Sequence, residues 1–128
     1  MKILETIKLR MASGDRPAGT YSGPFPFRAP IDAPKPRVIL TPVSSVPDYD
    51  STTRRWTERL QVGVYAGGHA EAIAVRAAWE AWIERGPWEP FGMRDVDAAP
   101  TMRTEVIDEE GEGYYALVDM NVVFEEPR

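Results

Sequence analysis

Tyr114-Tyr115-Ala116-Leu117-Val118-Asp119-Met120-Asn121-Val122-Val123-Phe124-Glu125 is the stretch on which the fold turns. Tyr114, Ala116, Val118, Met120, Val122 and Phe124 recur at every second position, with Tyr115, Asp119, Asn121 and Glu125 between them. That period places one set of side chains on one face of a strand and the other set on the opposite face. Just upstream, Thr101 to Ile107 alternates as well, Met102, Thr104 and Val106 against Arg103, Glu105 and Ile107. The acidic turn Asp108-Glu109-Glu110-Gly111-Glu112-Gly113 between the two runs predicts a hairpin with a loose tip.

Working outward, Glu58 to Ala66 sets Leu60, Val62, Val64 and Ala66 against Arg59, Gln61, Gly63 and Tyr65, and Arg37 to Val43 is a β-branched run. Pro42 in that run cannot donate to a ladder and belongs at an edge or bulge. Ser44 to Thr57, with Pro47, Asp48, Asp50 and three consecutive hydroxyl residues, is too long for a tight turn and predicts a projecting loop. After Gly67-Gly68, residues 70–85 bring Ala72, Val75, Trp79 and Trp82 to one helical face, with Arg76, Glu80 and Glu84 on another. Glu71 suits the positive end of that helix, Arg85 the negative end, and Gly86-Pro87 stops it. Ile3, Leu4, Ile7 and Met11 form a shorter stripe over residues 2–12, ended by Ser13-Gly14, and a helix of this length needs a docking surface to persist.

Two segments lack periodicity. From Asp15 to Pro36 there are prolines at 17, 24, 26, 30, 34 and 36, and the stretch reads as an extended arm or loop. Its Tyr21, Phe25 and Phe27 either anchor in a neighbouring subunit or fold back over their own core. Pro87 to Pro100 reads as a second irregular stretch. The element order is that of an α+β protein, a single domain over 1–128. Its mixed or antiparallel sheet has about four strands, packed by one long helix at about 70–85 and a short N-terminal helix.

With 128 residues, 43% apolar and 27% charged, the chain can build an ordinary core without staples. It has no cysteine, which removes thiol catalysis, cysteine-ligated zinc and disulfides. No apolar run approaches the ~20 residues of a membrane helix, and Glu5, Lys8 and Arg10 interrupt the first apolar stretch, so neither a span nor a secretory leader is expected. The net charge of −5 argues against wrapping nucleic acid. It is unevenly spread: residues 1–60 hold 10 Lys+Arg against 6 Asp+Glu, residues 61–128 hold 5 against 14. Such polarity suits stacking between unlike neighbours, or else reflects solvated loops.

Chemistry is scarce. His69 is the sole histidine, and His69-Ala70-Glu71 lacks the P-C-x-x-C partner of a zinc deaminase. No phosphate-binding glycine motif occurs. The carboxylate sets Asp95 with Asp97, Asp48 with Asp50, and the 108–112 tip offer oxygen ligands for Mg²⁺ or Ca²⁺ but no EF-hand spacing, and solvated acidic loops have the same composition. No catalytic residue, cofactor or metal is expected.

The strand leading into Val46-Pro47-Asp48-Tyr49-Asp50, the strand Leu60-Gln61-Val62-Gly63-Val64-Tyr65, the alanine-rich helix and the closing pair of strands together resemble the tail terminator, or tail completion, proteins of long-tailed bacteriophages. The likeness spans roughly residues 36 to 126, and other small neck proteins, the head-completion and stopper proteins, share the size and character. The resemblance implies a virion protein, assembled in the host cytoplasm. It implies a ring, usually of six subunits, that caps the tail tube, ends its polymerisation and offers the head a surface, with DNA passing through the lumen. On that basis the partner-facing residues are Tyr21, Phe25 and Phe27 on the arm, and Asp48, Tyr49, Arg54, Arg55 and Trp56 on the projecting loop. The arm would then be removable without loss of folding. The alternatives are another phage neck protein, a head-completion or stopper protein, or a carboxylate-dependent enzyme using Mg²⁺.

Overall fold

The computed structural model describes residues 1–48, 54–108 and 113–126. In chain order the elements are α1 (Lys2–Ala12), β1 (Ser22–Pro26), β2 (Arg37–Pro47), β3 (Arg54–Ala66), α2 (His69–Arg85), a 3-10 turn at Glu89–Phe91, β4 (Arg94–Asp108) and β5 (Gly113–Glu126). The architecture is α+β, with one mixed sheet in the order β1-β2-β3-β5-β4. Only β1 and β2 run parallel; the other neighbours are antiparallel.

The alternation in β5 and β3 sets the covered face. Leu60 pairs with Met120, Val62 with Val118 and Val64 with Ala116, and Val38 and Leu40 of β2 continue the row opposite Val64 and Val62. All of these are buried, and against them lie Ile3 and Ile7 of α1 and Trp79, Trp82 and Ile83 of α2. The helical stripes read from the sequence are therefore the buried ones. Trp79 and Trp82 meet edge to face at 5.7 Å, and Trp82 meets Trp88 at 5.5 Å. α2 ends at Gly86, whose φ of 67° is reached readily only by glycine.

Charged groups hold α1 at both ends. The Glu58 carboxylate, on the covered face of β3, accepts hydrogen bonds from the backbone N–H of Ile3 (2.7 Å) and Lys2 (3.3 Å) and from the Ser45 hydroxyl (2.6 Å). The first-turn donors of a helix have no partner within it, and an anion there also meets the positive end of the dipole. At the other end, the fully buried Arg10 side chain donates to the backbone carbonyls of Trp82 (2.8 Å) and Gly86 (2.6 Å), which close α2, and to Asp15 at 2.7 Å. Its guanidinium stacks 3.8 Å over the Trp82 ring. The short helix thus persists because a strand caps its start and it in turn caps the end of α2.

Three sequence expectations need correction. The sheet has five strands rather than about four, because part of the proline-rich arm is β1, which pairs with β2 through Ser22↔Arg37, Phe25↔Ile39 and Pro26↔Leu40. β1 lies at the sheet edge, where proline costs no ladder bond. Much of the second irregular stretch is also strand, since β4 starts at Arg94. Bulges between Arg94 and Asp97 and between Pro100 and Met102 break its alternation and conceal it from a period-two pattern. The loop at 44–57 is far shorter than expected: β2 continues to Pro47 and β3 begins at Arg54, so much of it is hairpin ribbon. Pro42 does sit at a bulge, between Pro42 and Ser44, beyond the last residue that β1 pairs.

Candidate functional site

Both helices pack on one sheet face, which leaves three surfaces for recognition: the opposite sheet face, the edge strand β4 and a groove beside β1. The helix-free face carries Arg55, Thr57, Arg59 and Gln61 of β3 opposite Glu125, Val123, Asn121 and Asp119 of β5. Arg55 lies 3.5 Å from Glu125 and Arg59 lies 3.7 Å from Asp119, pairs that are partly solvated. Toward one end, Tyr65 stacks on Tyr115 at 4.5 Å and lies beneath the Lys35 ammonium at 4.7 Å.

β4 is an outermost strand of the sheet. Its charged residues Arg103 and Glu105 pair with Val118 and Ala116 on the covered side, while Met102, Thr104 and Val106 lie opposite Asp119, Leu117 and Tyr115 on the open side. The reason is α2. Glu80 receives two hydrogen bonds from Arg103 (2.9 and 3.1 Å), and Arg76 contacts Glu105 at 2.8 Å and donates to the Leu117 carbonyl at 3.3 Å. Arg76 and Glu80, which the helical pattern assigns to a face apart from the core, are buried in this network. Glu80 holds the Arg103 guanidinium above its usual range. Met102 and Ile107 are left 63% and 64% exposed.

The groove, about 330 Å³, runs between α1 and β1. Leu4, Ile7 and Met11 wall one side, Pro24 and Phe25 the other, with Leu40 also lining it. Lys8 and Arg16 bring positive charge to this apolar lining. β1 lies close on β2 here: at Gly23, with φ of +102°, a side chain would come within 2.6 Å of the Val38 carbonyl oxygen. Neither Lys8 nor Arg16 stands out in the sequence, because what joins them is the return of β1 past α1.

Of the eight residues marked by sequence as partner-facing, the described ones do not form one surface. Tyr21 packs on the protein's own core, edge-on to Trp79 at 5.5 Å, with its hydroxyl donating to the Pro17 carbonyl, and burial raises its pKa. Phe25 lines the groove, and Phe27, with φ of 64°, is 67% exposed. Trp56 packs partly buried against the core, Arg54 is exposed, and Arg55 joins the open face. Asp48 is exposed and its backbone N–H donates to Arg55 O; Tyr49 lies outside the described residues. Residues 15–36 are not a detachable arm, since they supply β1, Tyr21 and the Asp15 carboxylate.

The candidate ion sites are no more convergent. Asp95, with φ of 48°, lies in the bulge that Asp97 closes, and both are exposed; Asp50 and residues 109–112 lie outside the described residues. Among the described residues no group of three or more His, Asp or Glu could hold a metal ion, and no helix is long and apolar enough to cross a membrane. His69 opens α2 exposed, edge-on to Tyr114 at 5.8 Å.

No family model matches the chain, and no curated protein matches it in sequence. Among solved structures, it is similar in fold to a chain from the virion of a native gene transfer agent particle, with a TM-score of 0.53 and 16% sequence identity. The match covers 77% of this chain and 73% of that one.

Proposed function

We propose that this protein is a structural subunit of a phage or phage-like virion, and specifically a tail terminator. Copies of it close into a ring of six on the end of the tail tube, stop its growth and present a surface to a head-completion or stopper protein. The observation that carries this reading is the shared fold with a virion chain over three-quarters of each protein. Two further features support it. One whole sheet face is free of helices, and the basic half of the sequence forms β1, β2 and the start of β3 while the acidic half forms the rest of β3 with β4 and β5. Six copies of a chain of charge −5 carry −30, and DNA would slide through such a ring without adhering to it. The mechanism is one of shape and charge, without catalysis.

Electron microscopy of the purified protein mixed with tail tubes tests this. Density confined to one end of each tube, with sixfold rotational symmetry, is expected. Decoration along the tube, or binding only to isolated heads, would replace the terminator reading with another neck role. Turnover of a substrate by the protein alone, with Mg²⁺ added, would revive the enzyme alternative.

A further inference from the structure

We infer that two copies of this chain pair edge to edge and antiparallel through β4, with Thr104 on the two-fold axis. The inference goes beyond the ring reading and does not rest on it, because a self-complementary contact closes at two copies.

The two edges of the sheet differ in how they meet solvent. β1 carries Pro24 and Pro26, which cannot donate to an added strand. The first part of β4 is broken by its two bulges. From Met102 to Asp108, however, β4 keeps unbroken register with β5 on its inner side, and no strand lies on its outer side. Residues 101–107 are all exposed, contain neither proline nor glycine, and include the large apolar side chains of Met102, Val106 and Ile107. An edge of this kind is a template for a further strand.

What fits it is written in Met102-Arg103-Thr104-Glu105-Val106, whose chemistry reads alike in both directions. Set antiparallel about Thr104, Met102 of each copy faces the second copy's Val106 on the open side. Arg103 faces the second copy's Glu105 on the covered side, and two threonines meet at the centre. No neighbouring alignment does this. A slip of one residue sets the open side of one copy against the covered side of the other. A slip of two brings Arg103 onto Arg103 or Glu105 onto Glu105, and parallel pairing in register brings both.

The charged groups have capacity to spare. Arg103 gives Nε and Nη2 to Glu80, and Glu105 meets Arg76 through Oε1, which leaves Arg103 Nη1 and Glu105 Oε2 without a partner among the described residues. Their side chains are 51% and 41% exposed. Pairing would join the two sets of charges into one ladder across the axis. α2 packs chiefly over β3 and β5. Its two copies would therefore stand three strand spacings, ~14 Å, apart and clear each other.

Because the chain has no cysteine, introduced ones report the register. With an ethane-bridged bis-methanethiosulfonate, Thr104→Cys should cross-link to itself, and Met102→Cys should cross-link to Val106→Cys when the two are mixed. Met102→Cys alone and Val106→Cys alone should not, since their thiols lie beyond the linker's reach in this alignment. Arg103→Glu and Glu105→Arg should each weaken dimerisation at least tenfold in sedimentation. Mixing them should restore it, because every acid in the mixed pair again faces an arginine; should a charge variant fail to fold, the cysteine pairs decide alone. Cross-linking of Met102→Cys to itself as readily as to Val106→Cys, or an unaltered chain that sediments as a monomer at every concentration, would overturn the contact. Either result leaves the ring reading to be decided separately on tube ends.

Discussion

The two faces of the sheet use charge in opposite ways. Beneath the helices, Glu58 and Arg10 are almost wholly buried, and their bonds to the backbone groups that terminate a helix are all 3.3 Å or shorter. On the open face, Arg55–Glu125 and Arg59–Asp119 stand at 3.5 and 3.7 Å, with the arginine side chains 39% and 47% exposed. A desolvated charge becomes costly once its partners are removed, whereas a solvated pair contributes about 0–1 kcal/mol. Charge on the covered face belongs to folding; the open-face pairs stay partly solvated.

The sharpest way to break this contrast is Arg10→Ala. It leaves two helix-terminal carbonyls unpaired and removes a guanidinium packed between Trp82 and Trp88, so a loss of about 3–5 kcal/mol in urea denaturation is expected. Arg10→Lys should recover only part of it, because an ammonium cannot span two carbonyls and a carboxylate in one plane. A loss under about 1 kcal/mol would mean that the buried charge is not part of the fold's support.

A smaller effect is expected at Asp15. Its hydrogen bond from Arg10 comes first among the influences that hold its carboxyl below the ordinary carboxylate range, and a further bond from the Trp82 indole helps. A carboxyl whose pKa is lower in the folded than in the unfolded chain contributes stability above the unfolded value, about 3.9, and loses it as pH falls through the folded value. Stability should therefore drop below about pH 4, and Asp15→Asn should flatten that part of the profile. An identical acid limb in the variant would refute the linkage. Smallest of all should be Arg59→Ala, expected to shift stability by no more than about 0.5 kcal/mol. A larger loss would show that the open face also supports folding.

Several elements were legible from alternation and helical spacing alone. β5, β3, α1 and α2 each present one apolar set at the right period, and each buries that set apart from the half-buried Leu4 and Tyr114. The edges were harder to read. β1 is made of Ser-Gly-Pro-Phe-Pro, a composition that central strands avoid, and β4 changes face twice at its bulges. Among the marked residues, Phe25 and Phe27 lie at or near the groove and Arg55 on the open face, while Tyr21 and Trp56 serve the core. An aromatic side chain has the same sequence appearance in either place.

What the amino-acid order determined by itself was the set of local elements and which side of each is apolar, because sterics, turn chemistry and periodicity act over a few residues. What tertiary structure decided was the fate of the charges and the identity of the edges. Glu58 reaches α1 across 55 residues and Arg10 reaches Gly86 across 76, distances over which no local pattern carries information. The burial of an ion is settled by the partners that folding brings to it, and so is the pairing, or lack of it, along the outer side of a strand.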